Sequence, residues 1–355
     1  VLCSNGNPST LATWTAVNLF PAHEGLTPTR YVYEQVDEPW NTLICTLTGA
    51  RKALRACHSK AMPLGYYRLE DTDQRTVLFG KIIDRTDLSR TWLAACVAAD
   101  ARSAGMATLG VAAPPIMLDE KYCLIMHEWL DGQYFQQTPQ EVSLLGNELA
   151  RLHAYLRCSA DQEIAVRQRN YWNSSWRRLE ELLHHEVLPP SLKRDLQVLV
   201  TQKERIQPLL TEDPQPLHND LHPGNVLFNE HGKILAFLDF EETITSVGSV
   251  WLDVAWVLER FCMPYTCTTK AEDLAQNFVR SYASASGRAL PHADVFHAAL
   301  RWKNFHALGL LHEATLKGLP LSTREWEKFT GLLYSAKRHN DFLKNLFDTR
   351  FSPIP

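Results

Sequence analysis

Between residues 64 and 130 apolar and polar positions alternate, which is the pattern of half-buried strands. LGYYRLE, the polar turn DTDQ and RTVLFGKII form a predicted hairpin. DLSRTWLAACVAADARSAGMATLG is Ala-rich and suits a helix that ends near Gly110, ahead of the Pro114-Pro115 break. YCLIMHEWL predicts a further strand that runs into a turn at Asp131-Gly132. Beyond that turn the period changes from two to three or four. In TPQEVSLLGNELARLHAYL, Thr138 and Glu141 supply a capping box and Pro139 the first helical position. Val142, Leu145, Leu149, Leu152 and Leu156 then fall on one face. Further helices are expected near 174–186, 191–210, 250–262, 270–286, 292–316 and 322–347, with Ser322 and Glu325 as a second capping-box pair. One β-rich island, residues 217–240, interrupts them.

This order predicts an α+β, bilobal chain. A small β-rich lobe over 49–131 precedes a larger, mainly helical lobe over 132–355, and the two share a cleft. Residues 1–48 have no clear period and form an N-terminal extension of unassigned role. A length of 355 residues fits two lobes, since single cores usually stop growing below that size. With 45% hydrophobic and 21% charged residues, the chain can bury a sizeable core. A formal charge of -4 and the lack of Lys/Arg runs argue against a nucleic-acid partner. The eight cysteines include no CxxC pair and suggest reduced packing residues, as in a cytoplasmic protein. No apolar run reaches the ~18 residues of a membrane span, so no membrane partner is expected.

Within the island, VLF and ILAFLD flank NEHGK and predict a hairpin. Such a hairpin returns Asp239, at the end of its second strand, to the neighbourhood of Asn225, at the start of the first. Asp220 lies on the entering loop, in LHNDLHPGNVLF. Two oxygen ligands on a rigid hairpin suit Mg2+, which keeps water or phosphate oxygens as its other ligands. If Asn225 and Asp239 hold the metal, Asp220 is free to accept the proton of a hydroxyl that attacks a phosphate. His218 then fixes the loop. Paired with His222 it could instead ligate a transition metal, a metallohydrolase arrangement that lacks further ligands at recognisable spacing. The bare H-x-D-x-x-x-x-N spacing also fits an Asx-rich turn; the hairpin and the strand-terminal Asp239 weigh against that.

His218, Asp220 and Asn225, followed by Asp239 in FLDFEET and Asp253 in WLDVAWVL, resemble the core of the aminoglycoside phosphotransferase and choline kinase family. VLFGKII, LIMHEWLDG and LGNELARLHA stand in the expected order upstream. The resemblance implies a protein-kinase-like fold, ATP and Mg2+ in the cleft, and transfer of the γ-phosphate to a hydroxyl. It makes Asp220 the catalytic Asp, Asn225 and Asp239 the metal ligands, and Lys81 the residue that grips the α/β-phosphates. Asp253 would brace the catalytic loop. The family's helix supplies a Glu to orient the Lys, yet no Glu occurs between Lys81 and Glu120, and Asp100, about ten residues before the Gly that ends the helix, is the best replacement. The phosphate-covering loop departs from the family pattern: ACHSKAMPLGYY offers Ser59 and Lys60. The backbone of Glu128 and Leu130 corresponds to the segment that reads adenine.

The expected acceptor is a small hydroxyl-bearing molecule, with an amine by analogy with the family. Glu241, Glu242, Glu259 and Glu313, with Trp251, Trp256, Trp302 and His306, are candidates for a cation-binding wall. A nucleotide-binding pseudokinase is the alternative, opposed by the presence of Asp220, Asn225 and Asp239 together. A protein kinase is disfavoured because no A-P-E segment follows Asp239.

Overall fold

The structure, a computed structural model, describes residues 33–56, 63–70, 76–159, 163–186, 188–263, 268–318 and 323–348. The first lobe is a six-stranded antiparallel sheet. Its strands are β1 (Tyr33–Gln35), β2 (Lys52–Ala56), β3 (Gly65–Glu70), β4 (Thr76–Asp84), β5 (Val111–Met117) and β6 (Tyr122–Glu128), in the order β1-β2-β3-β4-β6-β5. Residues 33–48, without a period in the sequence, thus contribute β1 and α1 (Trp40–Thr48) to this lobe. Tyr67, Leu69, Ile82, Leu124 and Met126 form the core on the α1 side of the sheet. Ile83, Cys123 and Ile125 turn the other way and meet Ala95 of α2 (Leu88–Ser103).

The Pro114-Pro115 run was expected to break the chain and is instead part of β5. The strand lies at the sheet edge and its register shifts on either side of Ala113, so the missing proline N–H groups cost no ladder bond in the sheet interior.

The second lobe is built from α3 (Pro139–Cys158), α4 (Ile164–Leu182), α5 (Pro190–Thr201), α6 (Lys203–Leu210), α7 (Trp251–Val257), α8 (Thr268–Ser286), α9 (Ala293–Leu316), α10 (Thr323–Arg338) and α11 (Asn340–Asp348). The Thr138–Glu141 capping box forms as expected, whereas Ser322 lies outside the described residues. α4 begins ten residues before the predicted 174, and the segment expected at 322–347 is two helices that part at His339. α7 does not stop cleanly: Leu258–Cys262 continue it as a π-helical turn. α3 and α8 pack at very close range across Gly146, where a Cβ would sit 2.6 Å from the Phe278 carbonyl oxygen and 2.9 Å from the Tyr282 nitrogen.

The island folds as β8 (Val226–Phe228) against β9 (Ile234–Phe237), beside a short ladder of β7 (Gln215–Pro216) with β10 (Val247–Gly248). Backbone bonds clamp the hairpin to the lobe junction: Gln133 and Phe228 exchange N–H···O bonds of 2.7 and 2.8 Å, and Phe237 N–H donates to Ala107 O (2.8 Å). The hairpin therefore cannot shift without moving the junction. Among the described residues no helix is long and apolar enough to cross a membrane.

Candidate active site

Asp253 organises the loop that carries Asp220. It is fully buried on α7, and a buried carboxylate must be satisfied from all sides. Its Oδ2 accepts from His218 N–H (2.9 Å) and faces His153 Nε2 (3.1 Å), while Oδ1 accepts from Asn219 N–H (2.8 Å). Tyr282 Oη lies 2.8 Å from His153 Nδ1, which fixes the ring with its Nε2 proton on Asp253. Burial alone would raise the Asp253 pKa; the His153 bond and the charges of His153, Lys303 and His218 outweigh it and hold it below the usual value. His153 lies in LGNELARLHA, yet nothing in the local pattern marked it out.

Asn219 adopts the left-handed conformation (φ 64°), which Asn tolerates better than most residues. Lys303 of α9, itself buried, holds it there: Nζ lies 2.6 Å from Asn219 O and 2.8 Å from Asn219 Oδ1. The Asn219 amide nitrogen donates to Ser246 Oγ (2.8 Å). His218 is structural, as the sequence suggested. Its Nε2 donates to Leu238 O (2.9 Å) and its Nδ1 accepts from Asp220 N–H, which leaves neither nitrogen for a metal. His222 Nδ1 likewise accepts from Gly224 N–H (3.0 Å). Among the described residues no group of three or more His, Cys, Asp and Glu could hold a metal ion.

Asp220 emerges from this brace into the cleft with its side chain 42% exposed. Asn225 spends its amide nitrogen on it, 2.9 Å from Asp220 O and 3.1 Å from Oδ2, so the Asn225 carbonyl oxygen is left to face elsewhere. Leu238 N–H donates to Asn225 O (2.9 Å), which sets Asp239 beside Asn225. Asp239 also takes a left-handed backbone (φ 59°). Two oxygen donors from Asn225 and Asp239, with room for water and phosphate, fit Mg2+. Ringed by protein though open to the cleft, Asp220 has its pKa raised to about 6 by desolvation and by Asp239, against the opposing charges of Lys303 and Arg260.

Lys81 of β4 reaches the same place. Its Nζ lies 3.5 Å from Asp239 Oδ1, makes a short ion pair with Glu241 and sits 5.6 Å from the Tyr66 ring centroid. Burial would lower its pKa; the charges of Asp239, Tyr66 and Glu241 outweigh that and raise it. Asp100 does not join it. That residue is exposed near the end of α2, and the face of α2 turned to the cleft carries Thr91, Ala94, Ala95 and Ala98. The carboxylate beside Lys81 comes instead from Glu241, two residues beyond Asp239, a pairing across 160 residues that no local spacing announces. Ser59 and Lys60 lie outside the described residues.

A cavity of about 460 Å3 opens between the lobes. Tyr66, Phe79, Ala98 and Leu227 give it apolar walls, and Lys81, Asn225 and Asp239 line it too. Asp220 stands one hydrogen bond away, on Asn225. Glu128 and Leu130 line the cavity at the junction, and the Glu128 side chain pairs with Arg102 (2.7 Å).

Residues 66–292 match the sequence model of the APH phosphotransferase enzyme family. The chain belongs to that family. No curated protein matches it. Solved members of the phosphotransferase fold resemble it at low identity. The aminoglycoside-3'-phosphotransferase of type VIII is 20% identical (TM-score 0.53), with 71% of this chain and 92% of that one covered. A spectinomycin phosphotransferase solved with ADP and spectinomycin is 12% identical (TM-score 0.56), covering 91% and 99%. An ethanolamine kinase from Plasmodium vivax is 12% identical (TM-score 0.53), covering 88% and 83%. At such identities the likeness establishes a shared bilobal, protein-kinase-like fold.

The acidic residues expected to form a cation-binding wall in this phosphotransferase are already engaged. Glu241 pairs with Lys81, Glu242 with Arg90, and Glu313 with Arg178 and Lys317. Glu259 is fully buried and accepts from Asn304 Nδ2. Trp302 and His306 stack on each other inside the core (4.5 Å between centroids).

Proposed function

We propose that the protein is an ATP-dependent small-molecule kinase that moves the γ-phosphate of ATP to a hydroxyl group. The convergence of Asp220, Asn225, Asp239 and Lys81 on one interlobe cavity carries this reading. The acceptor oxygen forms a bond to the γ-phosphorus while the bond to the β–γ bridging oxygen breaks, and ADP leaves with that oxygen. Asp220 orients the acceptor hydroxyl and takes its proton; a carboxylate with a pKa of about 6 is ionised at neutral pH yet basic enough for the task. Asn225 and Asp239 would hold Mg2+, which when bound neutralises phosphate charge. Lys81 steadies the phosphates after exchanging its contacts with Glu241 and Asp239 for phosphate oxygens. The adenine lies between the apolar walls, and the backbone of Glu128 and Leu130 reads its edge. The ADP complex of the spectinomycin phosphotransferase, a fold relative, supports a nucleotide in the corresponding cleft. A transfer screen with γ-labelled ATP and Mg2+ over amino sugars, amino alcohols, sugar acids and hydroxy acids tests the reading. Label in one acceptor, lost in Asp220→Asn, is expected; absence of Mg2+-dependent nucleotide binding overturns it.

A further inference from the structure

Lys303 and Arg260 are the positive charges that act on Asp220, and neither lines the interlobe cavity that Lys81 enters. Arg260 sits on the π-helical turn that ends α7, a local irregularity often found at functional sites. Only 4% of the residue is exposed, yet its Nε and Nη1 have no hydrogen-bond partner. Its guanidinium lies 5.3 Å from the Trp256 ring centroid and 5.6 Å from that of Phe329, and Lys303 Nζ lies 4.8 Å from the same Trp256 ring. Since Lys303 also holds Asn219, this chain of contacts joins Arg260 to the residue preceding Asp220.

Lys328 of α10, its side chain 23% exposed, adds a further cation whose Nζ is 3.4 Å from Glu325 Oε2. The carboxylates acting on Arg260 are Asp220, Glu259 and Glu325. Asp220 is committed to catalysis, Glu325 is shared with Lys328, and burial pushes Glu259 well above the carboxylate range, towards its neutral form. The balance beside Asp220 therefore leaves a planar guanidinium whose unspent Nε and Nη1 lie on its two different edges, each shared with Nη2, suited to an anion.

We infer that the acceptor bears an acid group, a carboxylate or a phosphate, that binds Arg260 while its hydroxyl meets Asp220. This rests on the kinase reading and replaces the amine that family analogy suggested. Lys328 adds long-range attraction. An ammonium-bearing acceptor would face the charges of Arg260, Lys303 and Lys328.

The test uses matched acceptors that differ only in the terminal group: gluconate, glucitol and glucamine, and glycerate, glycerol phosphate, glycerol and aminopropanediol. Mg2+-dependent ATP binding is measured first, and its absence removes the kinase reading and this inference together. With binding present, kcat/KM for the acid-bearing member of each set should exceed that of its neutral and amine analogues by about ten- to a hundredfold. Gluconate or glycerate against glycerol phosphate separates carboxylate from phosphate. Arg260→Met should collapse that ratio towards one, and Arg260→Lys should retain part of it. As a ratio within each variant it does not depend on overall loss of rate. Should Arg260→Met fail to fold, Lys328→Gln provides a smaller collapse in the same direction. If none of the compounds is phosphorylated, the same ratios are read from their binding with Mg2+ and a non-hydrolysable ATP analogue. Equal preference, or preference for the amine, in the presence of nucleotide binding overturns the inference and leaves the kinase reading standing.

Discussion

Lys303 Nζ lies 2.6 Å from the carbonyl oxygen of Asn219, the residue before Asp220, and both partners are buried. A lysine from α9 thus holds the backbone from which Asp220 projects. Desolvation lowers its own pKa to about 8, so it remains largely charged at neutral pH. Lys303→Met should lower kcat by about 10- to 100-fold through misplacement of Asp220, with little change in nucleotide affinity. It should also move the acid limb of the pH–rate profile upward, because the lost positive charge had been lowering the Asp220 pKa. An unchanged profile would mean that Lys303 supports the fold alone.

Asp220 itself should set that limb. Its ionised form is the proton acceptor, so activity should rise as pH increases through about 6 and level off above. Asp220→Asn should cost about 10^2- to 10^4-fold in kcat while Mg-ATP affinity persists. Steady-state rates between pH 5 and 8 on the two proteins read both effects, and a variant that retains most of the rate would remove Asp220 from its role.

Asp253 couples the site to stability. Its folded pKa lies below the unfolded one, so its contribution is complete above the ordinary value of about 3.9 and is lost as pH falls towards the folded value. Asp253→Asn turns an amide towards two backbone N–H donors and His153. Denaturant unfolding at pH 7 should show a loss of about 3 kcal/mol, diminishing below pH 4.

Gly146 is predicted to be a packing position. Gly146→Ala gains about 1 kcal/mol of helix propensity but sets a methyl against the α8 backbone, where no flexible side chain can yield. A net loss of about 1–3 kcal/mol is expected in the same unfolding assay.

The two-lobe order, the α3 capping box and the 226–237 hairpin were legible because each is local: strand period, cap spacing and turn chemistry are written within a few residues. Asp220, Asn225 and Asp239 were legible for the same reason, since a short loop and one hairpin bring them together. Glu241 as the partner of Lys81, His153 against Asp253 and Lys303 on Asn219 are separated by 160, 100 and 84 residues. Such pairings follow from helix packing and leave no local periodic trace. Asp100 stands on the helix that follows Lys81, ahead of Gly110, where the family's orienting carboxylate is expected; the carboxylate beside Lys81 comes from the opposite lobe, in Glu241. β5 was hidden by its two prolines, which only an edge strand accommodates.

The measurement that bears most directly on the central claim is calorimetric titration of ATP with and without Mg2+, on the wild-type protein and on Asp239→Asn. Saturable binding to one site that strengthens with Mg2+ is expected in the wild type, with loss of that Mg2+ dependence in the variant. No binding under either condition, or Mg2+-enhanced binding that survives unchanged in Asp239→Asn, would contradict that claim.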